Sequence, residues 1–172
     1  TASDAVTISQ NITPPVANAG ADQTLTCATT SVTVGAPTVA GNTYAWSPPA
    51  GLSVNNIAQP VANAPNNYVL TVTNNVNGCV NRDTVRILQN ISVSSAIAGN
   101  DKIITCANPS FVIGAPSVTG NSYSWSPADG LNSTTISNPT VSAPGTYTLT
   151  VTNNGSGCTT NDVMNVGIDT IH

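Results

Sequence analysis

The chain has 172 residues, of which only 6% are charged, and its formal net charge is −4. All seven acidic residues are Asp and only three residues are Lys or Arg, so no basic patch is present to neutralise phosphates, and nucleic acid is not expected as a partner. No apolar run approaches the roughly 20 residues of a membrane-spanning helix, so membrane insertion is not expected either. Val and Thr dominate while helix-forming residues are scarce or dispersed, which favours an all-β fold.

A repeat with a period of 79 residues runs through the chain without any insertion. The stretch Tyr68–Asn75 returns as Tyr147–Asn154, and a Gly-Cys pair follows each copy. Self-similarity at a fixed period predicts tandem copies of one structural unit. We therefore predict two repeats, at residues 15–92 and 93–172, preceded by a separate segment at residues 1–14.

The segment at residues 1–14 has the pattern of a final strand, because Asp4–Ile12 aligns with Asp83–Ile91 in the same register. We interpret it as the last strand of a preceding repeat. Two arrangements fit this interpretation. In the first, the chain is a slice of a longer array; in the second, the strand completes the sheet of another molecule by strand addition.

Seven short strands are predicted in each repeat, and alternation is their main signal. In the first repeat, Tyr68, Leu70 and Val72 share one face at period two, which is typical of a half-buried strand. The predicted strands are Gln23–Cys27, Ser31–Val34, Thr43–Ser47, one or two edge strands within Leu52–Ala62, Asn67–Asn74 and Asp83–Leu88. Short strands separated by Gly, Pro and Asn indicate a β-sandwich of the immunoglobulin type.

Aromatic residues occupy inward positions of the predicted strands and are expected to form the core of each sandwich. These core candidates are Tyr44, Trp46, Tyr68, Tyr123, Trp125 and Tyr147. Aromatic rings also stack on sugars, but the inward phase of these residues favours packing.

Four Cys at matched positions favour disulfides and an oxidising, extracellular location. Two pairings are open. In the first, Cys27 bonds Cys79 and Cys106 bonds Cys158, although the ends of a sandwich lie too far apart for this unless the first strand is displaced. In the second, Cys27 bonds Cys158, and the other two bond neighbouring repeats.

Zinc is not expected, since no Cys-x-x-Cys pair occurs and His172 is the only His.

Asp22 and Asp101 lie at the entries of the two repeats and are calcium candidates, because carboxylates and backbone carbonyls are the ligands that calcium takes. The alternative is that they cap turns through local hydrogen bonds, and no other cofactor is expected. No catalytic residue is predicted, since a single terminal His, scattered Asp and no Glu do not converge on one site. We therefore do not expect an enzyme.

Several stretches together resemble a known family. They are Ala17–Thr24, Tyr44–Pro48, Tyr68–Asn74, Gly78–Cys79 and Asp83–Val85. They are similar to the PKD/Ig-like repeats of Bacteroidota secreted surface proteins, which include gliding-motility adhesins exported by the type IX system. The resemblance covers both repeats and implies two tandem immunoglobulin-like (PKD-like) sandwiches that serve mainly as spacers. Thr84 and Thr170 follow Asp in a pattern that resembles the O-glycosylation motif of Bacteroidota, which makes them glycosylation candidates.

These observations predict a structural segment of a long extracellular adhesin or filament that acts as a stiff stalk. Its expected partners are adjacent repeats of the same chain or filament. The alternatives are a module that binds a surface glycan or protein receptor through its loops, and a filament subunit assembled by donated strands.

Overall fold

The computed structural model describes residues 2–169, in which the regular elements are β-strands. The first six strands are β1 (Gln23–Thr26), β2 (Val32–Thr33), β3 (Asn42–Ser47), β4 (Val61–Ala62), β5 (Asn66–Asn74) and β6 (Val80–Asn90). The next six are β7 (Lys102–Ile104), β8 (Phe111–Val112), β9 (Asn121–Ser126), β10 (Thr140–Val141), β11 (Gly145–Asn153) and β12 (Thr159–Ile168). None of these described residues belongs to a helix that is long and apolar enough to cross a membrane.

Both repeats have the same two sheets. The first repeat has one sheet in the order β1-β6-β5-β3 and a smaller one made of β2 and β4. In the second repeat, the corresponding sheets are β7-β12-β11-β9 and β8 with β10. The long hairpin strands β5 and β6 are antiparallel, with Tyr68 opposite Val85, and Trp46 of β3 lies opposite Leu70 on the other edge of β5. The prediction of an all-β fold with two immunoglobulin-like sandwiches is therefore confirmed.

The two cores are built from equivalent positions. In β5, Tyr68, Leu70 and Val72 are at most 2% exposed, while Val69 and Thr71 between them are only partly buried. The first core consists of Ala19, Leu25, Val34, Trp46, Ala62, Tyr68, Leu70, Val72, Val85 and Ile87. The second consists of Ala98, Ile104, Ile113, Trp125, Val141, Tyr147, Leu149, Val151, Met164 and Val166. Every member of the second list lies 79 positions after its counterpart, and each large apolar side chain stabilises its sandwich by about 1.5–3 kcal/mol.

The chain divides into two compact units. The first unit contains the residues up to Leu25 together with Thr29–Gln89. The second contains Thr26–Ala28 together with the chain from Asn90 onward. Thr26–Ala28 thus follow Leu25 in sequence but belong to the second unit. The repeats 15–92 and 93–172 and the separate segment 1–14 stay a prediction.

The structure corrects two predictions about strands, and the interpretation of residues 1–14 as the last strand of a preceding repeat or a donated strand stays a prediction. Among residues 2–169, each repeat has six strands rather than seven, because Leu52 contributes only an isolated bridge to Ala62. Cys27 lies beyond the end of β1. Asp4–Ile12 forms no strand, and its apolar side chains Val6 and Ile8 are 81% and 90% exposed. A strand forms only when its backbone has a hydrogen-bonding partner, and no strand of the described chain pairs with this segment.

Candidate functional site

A disulfide joins two loops that are distant in sequence. Cys27, directly after β1, is bonded to Cys158, directly before β12, with a separation of 131 residues and a Cα–Cα distance of 5.0 Å. Both cysteines belong to the second compact unit. The Cys27 amide also donates a hydrogen bond to the carbonyl of Ser156, at 3.0 Å. The bond is therefore supported by a backbone contact beside it.

The pairing within each repeat, which was the first of the two options, is not the one in the structure. Its physical obstacle is visible in the second repeat, where β7 runs parallel to β12 and Ile104 lies level with Ile168. Cys106 follows that end of the sheet, whereas Cys158 precedes the opposite end of β12. A strand of ten residues spans about 33 Å, whereas the Cα atoms of a disulfide lie within about 7 Å.

The turn that carries Cys158 is shaped by the side chain of Asn153. Its Oδ1 accepts hydrogen bonds from the amides of Gly155 and Ser156, at 3.0 and 3.1 Å. The Gly157 amide donates to the Asn153 carbonyl at 2.7 Å, and the Asn153 amide donates to the Cys158 carbonyl at 2.9 Å. Gly157 has a φ of +67°, and a Cβ there would lie 2.8 Å from the Cβ of Ala28. The turn thus needs glycine both for its backbone and for close approach.

The turn that carries Cys79 has the same geometry. Asn74 Oδ1 accepts from the amides of Val76 and Asn77, at 2.9 and 3.4 Å. The Gly78 amide donates to the Asn74 carbonyl at 2.8 Å, and the Asn74 amide donates to the Cys79 carbonyl at 2.9 Å. Two differences separate this turn from its counterpart. Cys79 is a free thiol, and, apart from Gly78 and its two chain neighbours, no described residue has an atom within 4 Å of a Cβ built on Gly78.

The other unpaired cysteine is Cys106, which is exposed in the loop after β7. It occupies the position that Cys27 occupies after β1, 79 residues earlier. Each repeat therefore has one cysteine on a loop and one on a turn. The bond observed in the structure joins the loop cysteine of the first repeat to the turn cysteine of the second.

Each hairpin also holds the segment that leads into its repeat. In the first repeat, Asn77 Nδ2 donates to the carbonyl of Thr13 at 2.9 Å, and Asn81 Nδ2 donates to the carbonyl of Pro15 at 3.0 Å. At equivalent positions of the second repeat, the hydroxyl of Ser156 donates to the carbonyl of Ser92, and Thr160 donates to that of Ser94. These hydrogen bonds replace the water that an extended linker would otherwise bind, and they order the chain ahead of each sandwich.

The two calcium candidates act as acceptors for distant backbone amides. Asp22 Oδ1 accepts from the amide of Arg86, and Asp101 Oδ1 accepts from that of Asn165, each at 2.8 Å. These bonds span 64 residues, so the expectation of a local turn cap is wrong for the observed contacts. Among the described residues, no group of three or more His, Cys, Asp or Glu is arranged to hold a metal ion. Calcium binding by Asp22 or Asp101 stays a prediction.

A second pair of Asp residues fastens the buried start of each sandwich. Asp83 Oδ2 accepts from the amide of Ala19 at 2.7 Å, and its Oδ1 accepts from the amide of Thr84 at 2.8 Å. Asp162 bonds Ala98 in the same way, at 2.8 Å. Because Ala19 and Ala98 are fully buried, removal of the acceptor leaves an amide without a partner.

We expect Asp83→Ala to lower the free energy of unfolding by about 2 kcal/mol, because a hydrogen bond to a charged group contributes about 1.5–3 kcal/mol. Asp83→Asn should retain part of the stability, since its side chain keeps an acceptor oxygen. Asp4→Ala is the matched control: Asp4 holds the equivalent position in a segment that forms no strand, and the change should cost less than about 0.5 kcal/mol. Denaturant titration measures both values. Equal losses for Asp83→Ala and Asp4→Ala would contradict the assigned contact.

The six aromatic core candidates divide into two groups. Trp46 and Trp125 are 2% and 3% exposed, and their indole N–H groups donate to the carbonyls of Ile57 and Ile136, at 2.9 and 3.0 Å. Tyr68 and Tyr147 are also buried. The Tyr68 hydroxyl lies 3.1 Å from the carbonyl oxygen of Ala50 and 3.0 Å from that of Ala64, and Tyr147 makes the equivalent contacts to Asp129 and Ala143. Tyr44 and Tyr123 are half-buried at the edge of each core.

Tyr68 and Tyr147 make the stability of the fold sensitive to alkaline pH. Burial raises the pKa of Tyr68 above 10.0, and burial together with the negative charge of Asp129 raises the pKa of Tyr147. A raised pKa means that the folded state keeps the phenol proton after the unfolded state has lost it. The stabilisation of the fold that comes from these two pKa shifts is complete below about pH 10. It is lost as the pH rises through the pKa that each phenol has in the folded state.

We therefore expect the free energy of unfolding to fall as the pH is raised above 10. Denaturant titrations at pH 9, 10 and 11 measure this, with tyrosine ionisation followed by absorbance at 295 nm. Tyr68→Phe and Tyr147→Phe should reduce the slope, and Thr71→Ser is a control without an ionisable group. A free energy of unfolding that is constant or rising between pH 10 and 11 would contradict the assignment.

Two equivalent clefts beside the half-buried Tyr residues are small, and a third cleft is wider. Equivalent clefts beside Tyr44 and Tyr123 have volumes of about 120 and 50 Å³, below the roughly 300 Å³ at which ligand pockets begin. A wider open groove of about 390 Å³ lies in the first repeat, between Tyr44, Asn42, Asn56 and Ile57. Its wall combines one aromatic edge with amide side chains, which is a composition that can contact sugars or peptides.

The remaining candidates concern modification. Thr84 lies on β6 and is exposed. Thr170 lies outside the described residues. Glycosylation at either position stays a prediction.

Comparison with known proteins gives structural neighbours only. No protein-family model and no curated protein matches the chain. One similar structure comprises extracellular domains 3-5 of Drosophila OTK, with 13% identity and a TM-score of 0.45 over 87% of this chain and 60% of that one. An Ig tandem from titin is 10% identical, with a TM-score of 0.32 over 88% of this chain and 94% of that one.

A third neighbour is a SusE-like, surface-located polysaccharide-binding protein from the Bacteroides thetaiotaomicron heparin utilisation locus. It is 10% identical, with a TM-score of 0.38 over 86% of this chain and 33% of that one. The chain spans 60%, 49% and 54% of the first three solved structures that it matches.

Proposed function

We propose that this chain is a structural segment of a long extracellular surface protein or filament, of the PKD/Ig-like type found in Bacteroidota, and that it acts as a stiff spacer. The observation that carries the proposal is the pairing of Cys27 with Cys158 across 131 residues, between two repeats whose cores use equivalent positions. A disulfide of this kind persists in an oxidising compartment, which supports an extracellular location.

The disulfide also defines how the chain would carry tension. A force applied at the two ends passes through residues 1–27, the S–S bond and residues 158–172. The residues between the two cysteines, which are separated by 131 positions, lie outside this path and are shielded from the force. Such a bypass limits how far the segment can lengthen when its sandwiches unfold, which suits a stalk whose function is to keep a fixed reach.

Binding assays on the isolated chain test the spacer role. We expect no saturable binding to a glycan array or to intact cell surfaces, because the two equivalent clefts are small and the wider groove beside Tyr44 is open. Saturable binding that Tyr44→Ala abolishes and Tyr123→Ala preserves would overturn the proposal and assign a receptor to that groove. The two variants are matched because these Tyr residues hold equivalent positions in the two repeats.

A filament subunit assembled by strand donation is the second candidate, and one observation favours it. Val6 and Ile8 are 81% and 90% exposed, whereas their equivalents Val85 and Ile87 are 0% and 2% exposed in the first core. Residues 4–12 therefore have the apolar face of a core strand without a core to cover it. This face fits a sandwich of the same repeat in another molecule.

Strand donation predicts that Val6→Asp and Ile8→Asp abolish self-assembly, since a charge would enter the accepting core. Thr7→Asp is the matched control on the opposite face and should leave assembly unchanged. Size-exclusion chromatography with light scattering measures the assemblies. Persistence of the same assemblies in Val6→Asp would exclude the donated strand.

A further inference from the structure

We propose that Cys79 and Cys106 are linkage sites, at which this chain forms disulfides with further copies of the same repeat. The proposal rests on the spacer function and names the partner: the loop cysteine of one copy bonds the turn cysteine of the next. For two separate chains, this joins Cys106 of one molecule to Cys79 of another. The result is a continuous series of linked repeats.

The observed bond supplies the template. Cys27 and Cys106 lie 79 residues apart, as do Cys158 and Cys79. The bond between Cys27 and Cys158 therefore already pairs one residue of each class. Cys79 and Cys106 are the remaining members, and both are free thiols.

The turn of Cys79 is already built for the partner. Its hydrogen bonds reproduce those of the Cys158 turn, and φ is +69° at Gly78 and +67° at Gly157. In the bonded turn, Ala28 occupies the space beside Gly157, while, apart from Gly78 and its two chain neighbours, no residue of 2–169 has an atom within 4 Å of a Cβ on Gly78. The free turn thus keeps open the place that a residue equivalent to Ala28 fills in the bonded one.

The turn of Cys79 is less buried than the bonded turn of Cys158, as expected if its partner loop is missing. Cys158 is 2% exposed and its neighbour Ser156 is 1% exposed in the bonded turn. Their counterparts Cys79 and Asn77 are only half-buried. Docking of a second loop would cover Cys79, and the amide of the incoming cysteine would find an acceptor in the Asn77 carbonyl, as the Cys27 amide does in the Ser156 carbonyl.

The linkage is a thiol–disulfide exchange with a small disulfide, such as oxidised glutathione, as the oxidant. The Cys106 thiolate attacks this disulfide, which forms a mixed disulfide and releases one thiol. The Cys79 thiolate of the second copy then attacks the protein sulfur of that mixed disulfide. The second thiol leaves, and its sulfur takes up the proton lost by the attacking cysteine, so two protein thiols and one small disulfide give one protein disulfide and two small thiols.

The experiment uses the full chain and two single variants, Cys79→Ser and Cys106→Ser, each with oxidised glutathione. The variants are matched, because each keeps the Cys27–Cys158 bond and one free thiol. We expect the unmodified chain to form a ladder of covalent oligomers on a non-reducing gel. Each variant alone should remain monomeric, whereas their equimolar mixture should form a dimer that contains a Cys79–Cys106 peptide.

Dimers of equal yield in either variant alone would overturn the proposal, because they would show random pairing of exposed thiols. A mixture that stays monomeric, with melting temperatures equal to that of the unmodified chain, would overturn it as well. Either outcome leaves the spacer function standing if the Cys27–Cys158 peptide is recovered. Conversely, receptor binding at the Tyr44 groove would contradict the spacer function without affecting the linkage.

Discussion

Gly35→Ala is expected to lower the free energy of unfolding of the first repeat by about 4 kcal/mol or more. Gly35 has a φ of +88°, which costs a residue with a Cβ about 1–2 kcal/mol. An added Cβ would also lie 2.1 Å from the carbonyl oxygen of Ala58 and 3.0 Å from Cζ2 of Trp46. Neither the backbone nor a ring packed in the core can move away cheaply. A loss of this size is a large part of the stability of a small domain.

Gly41→Ala is a control that separates the cost of the steric clash at Gly35 from the cost of the positive φ. Gly41 has a φ of +81°, close to that of Gly35, but no atom in the described part of the chain lies within 4 Å of a Cβ built on it. Its substitution should therefore cost only the conformational term, about 1–2 kcal/mol. Urea titration followed by tryptophan fluorescence gives both values. Similar losses for the two variants would show that the contact with Ala58 does not exist.

Removal of the disulfide is expected to be the second large effect. Cys27→Ser combined with Cys158→Ser opens a loop closed across 131 residues, for which chain entropy gives a loss of roughly 5 kcal/mol. Cys79→Ser combined with Cys106→Ser is the matched control, because both of these thiols are free, and it should cost little. Guanidinium titration of the two double variants without reductant measures the difference.

The assigned disulfide would be contradicted if the control double variant lost more unfolding free energy than the variant without Cys27 and Cys158. A large loss in the variant without Cys79 and Cys106 would mean that these residues form the stabilising bonds. Unchanged stability in the variant without Cys27 and Cys158 would mean that their bond does not form in solution.

Most of the fold could be predicted from two features of the sequence, the 79-residue repeat and the alternation of apolar residues. Tyr68, Leu70 and Val72 recur at period two over a long strand, so their face is readable from the sequence, and the 79-residue period transfers the assignment to the second repeat. The two-residue strands β2 and β4 are too short to show a period. Their pairing depends instead on the tertiary position of Val34 and Pro60, whose amide and carbonyl meet at 3.0 Å.

The segment Asp4–Ile12 shows where local pattern fails. Its alternation equals that of Asp83–Ile91, yet only the latter contains a strand, because β6 lies between β1 and β5. A strand pattern states what a segment can do when partners are supplied. It does not state whether the partners are present.

The contacts of the candidate site were hard to predict because they join residues far apart in sequence. Asp83 and Ala19 are separated by 64 positions, and the sequence around either residue does not predict the hydrogen bond between them. The disulfide was even harder to predict, because four matched cysteines are compatible with two regular pairings. The parallel alignment of β7 with β12 separates the cysteines of one repeat, and that alignment is a property of the folded sheet.

The central claim is that the Cys27–Cys158 bond transmits tension past the residues between the two cysteines, and single-molecule pulling from the two ends of the chain tests it most directly. With the bond intact, 27 + 15 = 42 residues, those up to Cys27 and those from Cys158 onward, can extend, to about 140 Å at roughly 3.4 Å per residue. With reductant, all 172 residues can extend, to about 600 Å. A fully unfolded length of about 140 Å that rises to about 600 Å on reduction is the predicted result. A length of about 600 Å without reductant, or of about 240 Å as expected from two bonds within repeats, would contradict it.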